Sequence, residues 1–322
     1  MDDKLFTIQE VANRLGIHWQ TVRNYIKNGN LPAVKFGRNV RVSSNKLDDF
    51  INRENMNIQS KTISFDKNIV CVADDYGFTE SVNNGTVYCF KNKSILTEIS
   101  FMVLSNASEH GALLLRKNKI LDVGLHLCLL PWIGTKRPHK QDYIDLFSSN
   151  DTINIKKMFD DEMDLFIKMV GKLPTHICPQ MGIHANLKLL QIIIDFAQKN
   201  NIYVRIPLTT LGESGADVAN NNYAGITLLK RSGLRMSHYL FGHVTGSVSQ
   251  NIMDSFIRDL KIVRTGETAE LFFHPGFFDE QLLDLSGLNY ERSRDISIIC
   301  NNQFKNEIKS LGFTFKTLSQ IK

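Results

Sequence analysis

From residue 67 onward the chain alternates short apolar runs with amphipathic stretches of helical period, and this alternation is the strongest constraint on its fold. The spacing predicts strands at Asn68–Ala73, Glu98–Leu104, Leu121–Leu127, Thr175–Cys178, Tyr203–Ile206 and Glu270–Phe273. It predicts helices at Thr79–Asn92, Ile153–Val170, Leu187–Lys199, Ser249–Val263 and Gln303–Leu311. The stretch 153–170 has apolar residues at 155, 158, 159, 163, 166, 167 and 170, a stripe of period 3.6. Parallel neighbours need long crossovers, so strands that alternate with helices build a mainly parallel sheet or a barrel. The expected fold class is α/β.

Chemically active side chains cluster at the ends of these strands. Asp74 and Asp75 follow the first, in ADDYG; His126 lies in GLHL, Arg205 in RIP and His274 in HPG. The C-terminal ends of strands are where α/β barrels hold their sites. Two adjacent carboxylates with two distant histidines suit a hard or borderline divalent ion with a base and an acid nearby. Each residue also has a plainer reading. The aspartates could cap the next helix, His126 could be a core histidine, Arg205 could pair with a buried carboxylate, and HPG could be a turn. Their joint position at strand ends favours a site.

The first 52 residues are different in kind. Residues 4–46 contain eight basic side chains against one acid, Glu10, a balance of +7 in a chain whose net charge is +5. Such a block suits a polyanion. Thr7 and Glu10 have capping-box spacing before a first helix with Ile8, Val11, Ala12 and Leu15 as its apolar stripe. Gly16 stops it, and a second helix runs from about His18 to Lys27 before Gly29. Val34–Phe36 and Val40–Val42 flank Gly37-Arg38-Asn39 as a small hairpin, and a last helix lies near Lys46–Ile51. This block resembles the excisionase and MerR-like winged helix-turn-helix family. The resemblance implies that Gln20, Thr21, Arg23, Asn24 and Lys27 meet DNA from the second helix, with Arg38 and Arg41 on the wing. The alternative is a basic helical domain that binds protein. The expected organisation is a DNA-binding domain at 1–52, a polar linker at 53–66 and a barrel at 67–322.

Bulk properties narrow the class further. An apolar fraction of 43% and a charged fraction of 22% are globular values that exclude disorder. No apolar run approaches the ~20 residues of a membrane span, so no membrane partner is expected. The start, MDDKLFTIQE, does not fit a secretory signal. Five cysteines, at 71, 89, 128, 178 and 300, with no CxxC, suit a reducing compartment, and the expected location is cytoplasmic.

The strand-end motifs also occur in a known order. ADDYG, VNNG at 82–85, TEISFMVLSNA at 97–107, VGLHL at 123–127, PTHI at 174–177, VRIP at 204–207 and HPG at 274–276 resemble the YdjC/ChbG family of carbohydrate deacetylases. The resemblance covers roughly residues 67–320. It implies a deacetylase-type (β/α) barrel and a divalent metal, Mg or Zn, that removes acetyl groups from N-acetylated sugars. It makes Asp74 the general base, Asp75 and His126 metal ligands, and His274 the acid that protonates the leaving amine. Arg205 would orient Asp74 or bind substrate.

One motif departs. After PTHI the family usually has an Asp-small-His-(His/Gln)-His-hydrophobic-His run, which supplies the remaining metal ligand. Here the text is Cys178-Pro179-Gln180-Met181-Gly182-Ile183-His184. His184 is the expected third ligand, with His176 and Cys178 as the other candidates. Cys128 stands where the family often has Asn or Thr. Two functions follow: a metal-dependent deacetylase fused to a DNA-binding module, or a transcription regulator whose impaired barrel senses a small ligand. A third, a mobile-element accessory protein with the barrel as cargo, has no sequence feature that tests it. MerR-like heads act as dimers, but no heptads follow this one, so a homodimer would have to use the barrel.

Overall fold

The structure is a computed structural model that describes residues 4–15, 18–37, 39–51, 67–120, 122–134, 137–149, 151–209, 220–221, 223–242 and 249–321. The chain divides into two compact units, Met1–Phe65 and Asp66–Lys322.

The small unit runs β1 (Leu5–Thr7), α1 (Ile8–Leu15), α2 (Trp19–Lys27), β2 (Val34–Phe36), β3 (Asn39–Ser43) and α3 (44–51). The capping box forms: Glu10 accepts from Thr7 N at 2.7 Å, and Glu10 N donates to Thr7 Oγ1 at 3.2 Å. The hairpin β2–β3 is antiparallel, and β1 adds to its other side, pairing Phe6 with Val42. β1 is absent from the sequence prediction because three residues carry no readable period. Val11, Ala12, Val22, Leu31, Val42, Leu47 and Phe50 fill the core beneath the helices. That burial leaves Gln20, Arg23, Asn24 and Lys27 on the exposed side of α2.

The large unit contains β4 (Lys67–Tyr76), α4 (Glu80–Lys91), β5 (Glu98–Phe101), α5 (Ser108–Asn118), β6 (Val123–Leu125), α6 (Lys140–Ser148), α7 (Thr152–Val170), β7 (His176–Ile177) and α8 (Leu187–Asn200). It continues with β8 (Tyr203–Val204), β9 (Leu208–Thr209), β10 (Asn220–Asn221), α9 (Tyr223–Arg231), β11 (Tyr239–Phe241), α10 (Ser249–Leu260), β12 (Thr268–Phe273), α11 (Glu280–Leu285), α12 (Tyr290–Ile299), α13 (Asn302–Ser310) and β13 (Phe313–Phe315). Seven strands lie in the order β11-β12-β4-β5-β6-β7-β8, and β13 pairs with the start of β4. Every pairing in this sheet is parallel. The result is the expected α/β architecture, a curled half-barrel of parallel strands.

Side-chain alternation along a strand sorts residues to two faces. Ile69, Cys71, Ala73, Ala269, Leu271 and Phe273 join one apolar layer with α10, α12 and α13. Ile99, Phe101, Val123, Leu125, Ile177 and Val204 join another with α5, α7 and α8. The residues between them point to the concave side, and those include Asp74, Ser100, His126, Cys178, Arg205 and Glu270. Gly124 belongs there too, because a Cβ on it would fall 2.3 Å from the His176 ring.

Four strands are shorter than predicted, whereas β4 and β12 are longer, and the strand ends place the site residues. Val123–Leu125, His176–Ile177 and Tyr203–Val204 end immediately before His126, Cys178 and Arg205, while Glu98–Phe101 contains Ser100. The backbone nevertheless stays in step. His126 N donates to Phe101 O at 2.9 Å, Cys178 N to Leu125 O at 2.9 Å, Gln180 N to Leu127 O at 2.9 Å and Arg205 N to Ile177 O at 3.1 Å. Each site residue therefore hangs on the preceding strand by one more main-chain bond. The sequence prediction also omits α5, α6, α9, α11, α12, β11 and β13. Of these, α12 matters most for the site.

Candidate active site

Asp74 and Asp75 close β4, where consecutive side chains should point to opposite faces. The ladder with β5 shifts register between Ala73 and Tyr76, and Asp75 adopts φ +61°. That local bulge, with an aspartate in the left-handed region, lets both carboxylates enter the same centre. Neither caps α4, since Thr79 does so by accepting from Val82 N at 3.2 Å.

The two carboxylates meet different arginines. Arg205 grips Asp74 with two bonds, Nη1 to Oδ2 at 2.5 Å and Nη2 to Oδ1 at 3.1 Å. Its Nε reaches Glu270 Oε1 at 2.5 Å, and Tyr203 OH donates to Glu270 Oε2 at 2.7 Å. Burial pushes the Asp74 carboxyl up, but the Arg205 guanidinium overrides it and holds the group below the usual carboxylate range. Asp75 Oδ2 accepts from Arg292 Nη2 at 2.7 Å, and its Oδ1 lies 3.3 Å from His126 Nε2. Burial opposes its charge as well, and Arg292 together with the His126 hydrogen bond holds it well below the usual range.

His126 is the junction of the site. Its Nδ1 meets Ser100 Oγ at 3.0 Å, and its Nε2 meets Gln180 Oε1 at 2.9 Å. Burial disfavours a charged ring, but Cys178 and the hydrogen bond to Asp75 raise its pKa well above the ordinary value. Gln180 Nε2 is 3.4 Å from Asp75 Oδ1, and Met181 N donates to Gln180 Oε1 at 3.0 Å. Cys178 Sγ lies 3.6 Å from Asp74 Oδ1, and burial pushes this thiol up to about 11. His274 is half-buried at the rim, its main-chain N held by Asp295 Oδ2 at 2.8 Å.

The donor chemistry suits a divalent ion. Around an ion 2.0–2.1 Å from its nitrogen and oxygen ligands, neighbouring donors sit about 3.0–3.4 Å apart. Gln180 Oε1 and Asp75 Oδ1 lie 2.9 and 3.3 Å from His126 Nε2, close to that spacing. Asp74, His126 and Cys178 also offer donor atoms that all lie within 4.8 Å of one another.

The predicted site residues are thus only partly assembled. Asp74, Asp75, His126 and Arg205 come together. His184 does not join them: its Nε2 donates to Arg205 O at 3.0 Å, and burial pulls its pKa down to about 4. His176 sits at the other end of the strands, with Nδ1 3.6 Å from Glu98 Oε2. Sequence reasoning missed Arg292, Ser100 and Glu270. Arg292 lies on α12 and Glu270 on a strand whose end alone drew notice. It also missed Glu162 of α7, whose carboxylate accepts from Cys128 N at 2.8 Å and Leu129 N at 2.7 Å and so clamps the loop after His126. A buried acid at an apolar helix position is the one signal that could have found it.

The candidate DNA face lies on the other unit. Gln20, Arg23, Asn24 and Lys27 are exposed on α2, Thr21 and Arg41 are half-buried, and Arg38 lies outside the described residues. Arg23 stacks over Trp19 at 5.0 Å, and Trp19 is itself exposed.

A half-barrel with a buried charged centre at its strand ends, preceded in sequence by a basic three-helix unit, defines a two-module α/β-barrel protein. Residues 68–310 match the YdjC-like protein family, and the chain belongs to it. Residues 5–55 match a helix-turn-helix domain. A carbohydrate deacetylase of Clostridium beijerinckii is 24% identical over 78% of this chain and 99% of its own length. A chitooligosaccharide deacetylase of Proteus mirabilis is 22% identical over 79% of this chain and 98% of its own. A crystal structure from Enterococcus faecalis V583, described as a candidate cellobiose-phosphate cleavage protein, superposes with a TM-score of 0.64. It is 20% identical and covers 79% of this chain and 98% of its own. No helix among the described residues is long and apolar enough to cross a membrane.

Proposed function

We propose that the large unit hydrolyses the acetamide of an N-acetylated sugar, releasing acetate and leaving a free amine. The observation that carries this reading is the pair of carboxylates held apart in role by two arginines. Asp74, kept ionised by the two-pronged grip of Arg205, is a base that can take a proton from an attacking water. His274, at the rim, gives a proton to the departing amine. Asp75, His126 and a third donor from 178–184 would hold the divalent ion. Bound there, the ion supplies Lewis acidity toward the amide carbonyl and the water. Glu270 fixes Arg205 from behind, which keeps the guanidinium aimed at Asp74. The relatives named as carbohydrate and chitooligosaccharide deacetylases support the substrate class.

The small unit binds DNA in this reading, through Gln20, Thr21, Arg23, Asn24, Lys27 and the wing residues Arg38 and Arg41. A DNA partner implies a cytoplasmic protein. A second reading has its own support. Gln180 and Arg292 satisfy His126 and Asp75 from within the protein, as a ligand-sensing centre without turnover would allow.

Acetate release from N-acetylated chitooligosaccharides by the full chain with Zn²⁺ or Mg²⁺ separates the two. The deacetylase reading expects release that falls at least about 10²-fold in Asp74→Asn while DNA affinity holds. Zero release, with sugar shifting DNA affinity equally in both proteins, would establish the sensor instead.

A further inference from the structure

The segment 178–184 offers two donors of different character. Gln180 gives a neutral amide oxygen, already shared between His126 Nε2 and Met181 N. Cys178 gives sulfur. Its surroundings set it apart from other cysteines of the chain. Cys71 and Cys89 pack in an apolar layer. Cys128 donates to His126 O. Cys178 is fully buried among charge: 3.6 Å from Asp74 Oδ1, with its sulfur within 4.8 Å of a His126 ring nitrogen and within electrostatic reach of Arg205. A sulfur and a nitrogen on one tetrahedral ion, at about 2.3 and 2.0 Å, would lie about 3.5 Å apart. The Cys178 sulfur and a His126 ring nitrogen lie within 4.8 Å of each other, near that scale.

We propose that Cys178 is a sulfur ligand to the ion of this site, beside His126 and Asp75, so that the site selects a thiophilic divalent ion such as Zn²⁺ over Mg²⁺. The proposal rests on the metal-dependent reading above. Binding exchanges the S–H bond for a sulfur–metal bond and releases the proton to solvent, with no change of oxidation state. Thiolate is a soft donor that zinc and cobalt accept, whereas magnesium prefers oxygen. Asp74 stays outside the ligand set because Arg205 holds both its oxygens, which leaves it free to act as a base.

Cobalt(II) titration of the full chain tests this. The expected result is one equivalent bound with a near-ultraviolet sulfur-to-cobalt charge-transfer band. Zn²⁺ should displace the cobalt, and a large excess of Mg²⁺ should not. The band should vanish in Cys178→Ser and persist in Cys300→Ser, whose cysteine lies beyond the far end of α12. Zinc affinity should fall at least about tenfold in Cys178→Ser, with circular dichroism confirming that it folds. Cobalt bound without the band, a band that survives in Cys178→Ser, or no binding by the folded wild type would overturn the proposal. Acetate release, measured in parallel, reports separately. A band without acetate supports sulfur ligation and defeats the deacetylase reading, and acetate without a band does the reverse.

Discussion

The two units carry their functional residues in opposite settings. On the small unit, Gln20, Arg23, Asn24 and Lys27 stand exposed on one helix, and the buried Val22 between them fixes which way they face. In the large unit, Asp74, Asp75, His126, Cys178 and Arg205 are all buried. They meet across long stretches of chain: 54 positions for His126 and Gln180, 131 for Asp74 and Arg205, 217 for Asp75 and Arg292. Exposed charges cost little to arrange and little to lose. Buried ones must be paired by the fold itself, so in the large unit stability and function rest on the same bonds.

Removing Arg205 should show this most strongly. Arg205→Met leaves Asp74 and Glu270 buried without their cation, and a loss of about 3–5 kcal/mol in urea unfolding is expected. An unchanged midpoint would mean that the charged centre is not part of what holds the strand ends.

Glu162 sharpens the contrast next. Burial pushes its carboxyl from 4.5 up to about 7, against the pull of two backbone N–H groups. The folded protein keeps that proton up to about pH 7, while the unfolded chain releases it near 4.5. The unfolded state therefore binds fewer protons in this window, and the Glu162 contribution to stability falls as pH rises through it. The total is up to about 3 kcal/mol, constant above the folded value. Glu162→Gln cannot ionise, so its stability measured from pH 4 to 8 should lack this downward component. Parallel curves for the two proteins would remove Glu162 as its source.

The exposed unit should respond least. Arg23→Ala is expected to cost about 1–3 kcal/mol of DNA affinity and to relax sequence preference, while Lys27→Ala should weaken all sequences alike and reduce the salt slope by about 1. Binding that ignores salt would mean that this face recognises protein, and the comparison between the units would need to be redrawn.

Legibility followed the same divide. The helices of the small unit could be read because apolar period and capping residues are local properties, as Thr7 and Glu10 illustrate. The parallel sheet could be read from alternation, and Asp74, Asp75, His126, Arg205 and His274 from their places after strands. The side chains that face the centre from 178–184 could not. His184 keeps the motif position yet turns to a backbone carbonyl, while Gln180 and Cys178, which break the motif, face the centre. Arg292 was invisible because only the packing of α12 against the barrel brings it to Asp75.

The sequence by itself determined the strand and helix periods, the basic charge of the head and the order of the strand-end motifs, since each depends on residues near one another in the chain. Tertiary structure alone decided which arginine neutralises which aspartate, which side chains of 178–184 face the centre and which histidines do not. Those choices depend on register, on the bulge at Asp75 and on the approach of distant helices. Each is fixed by the pairing of buried charges that only the folded chain brings within reach.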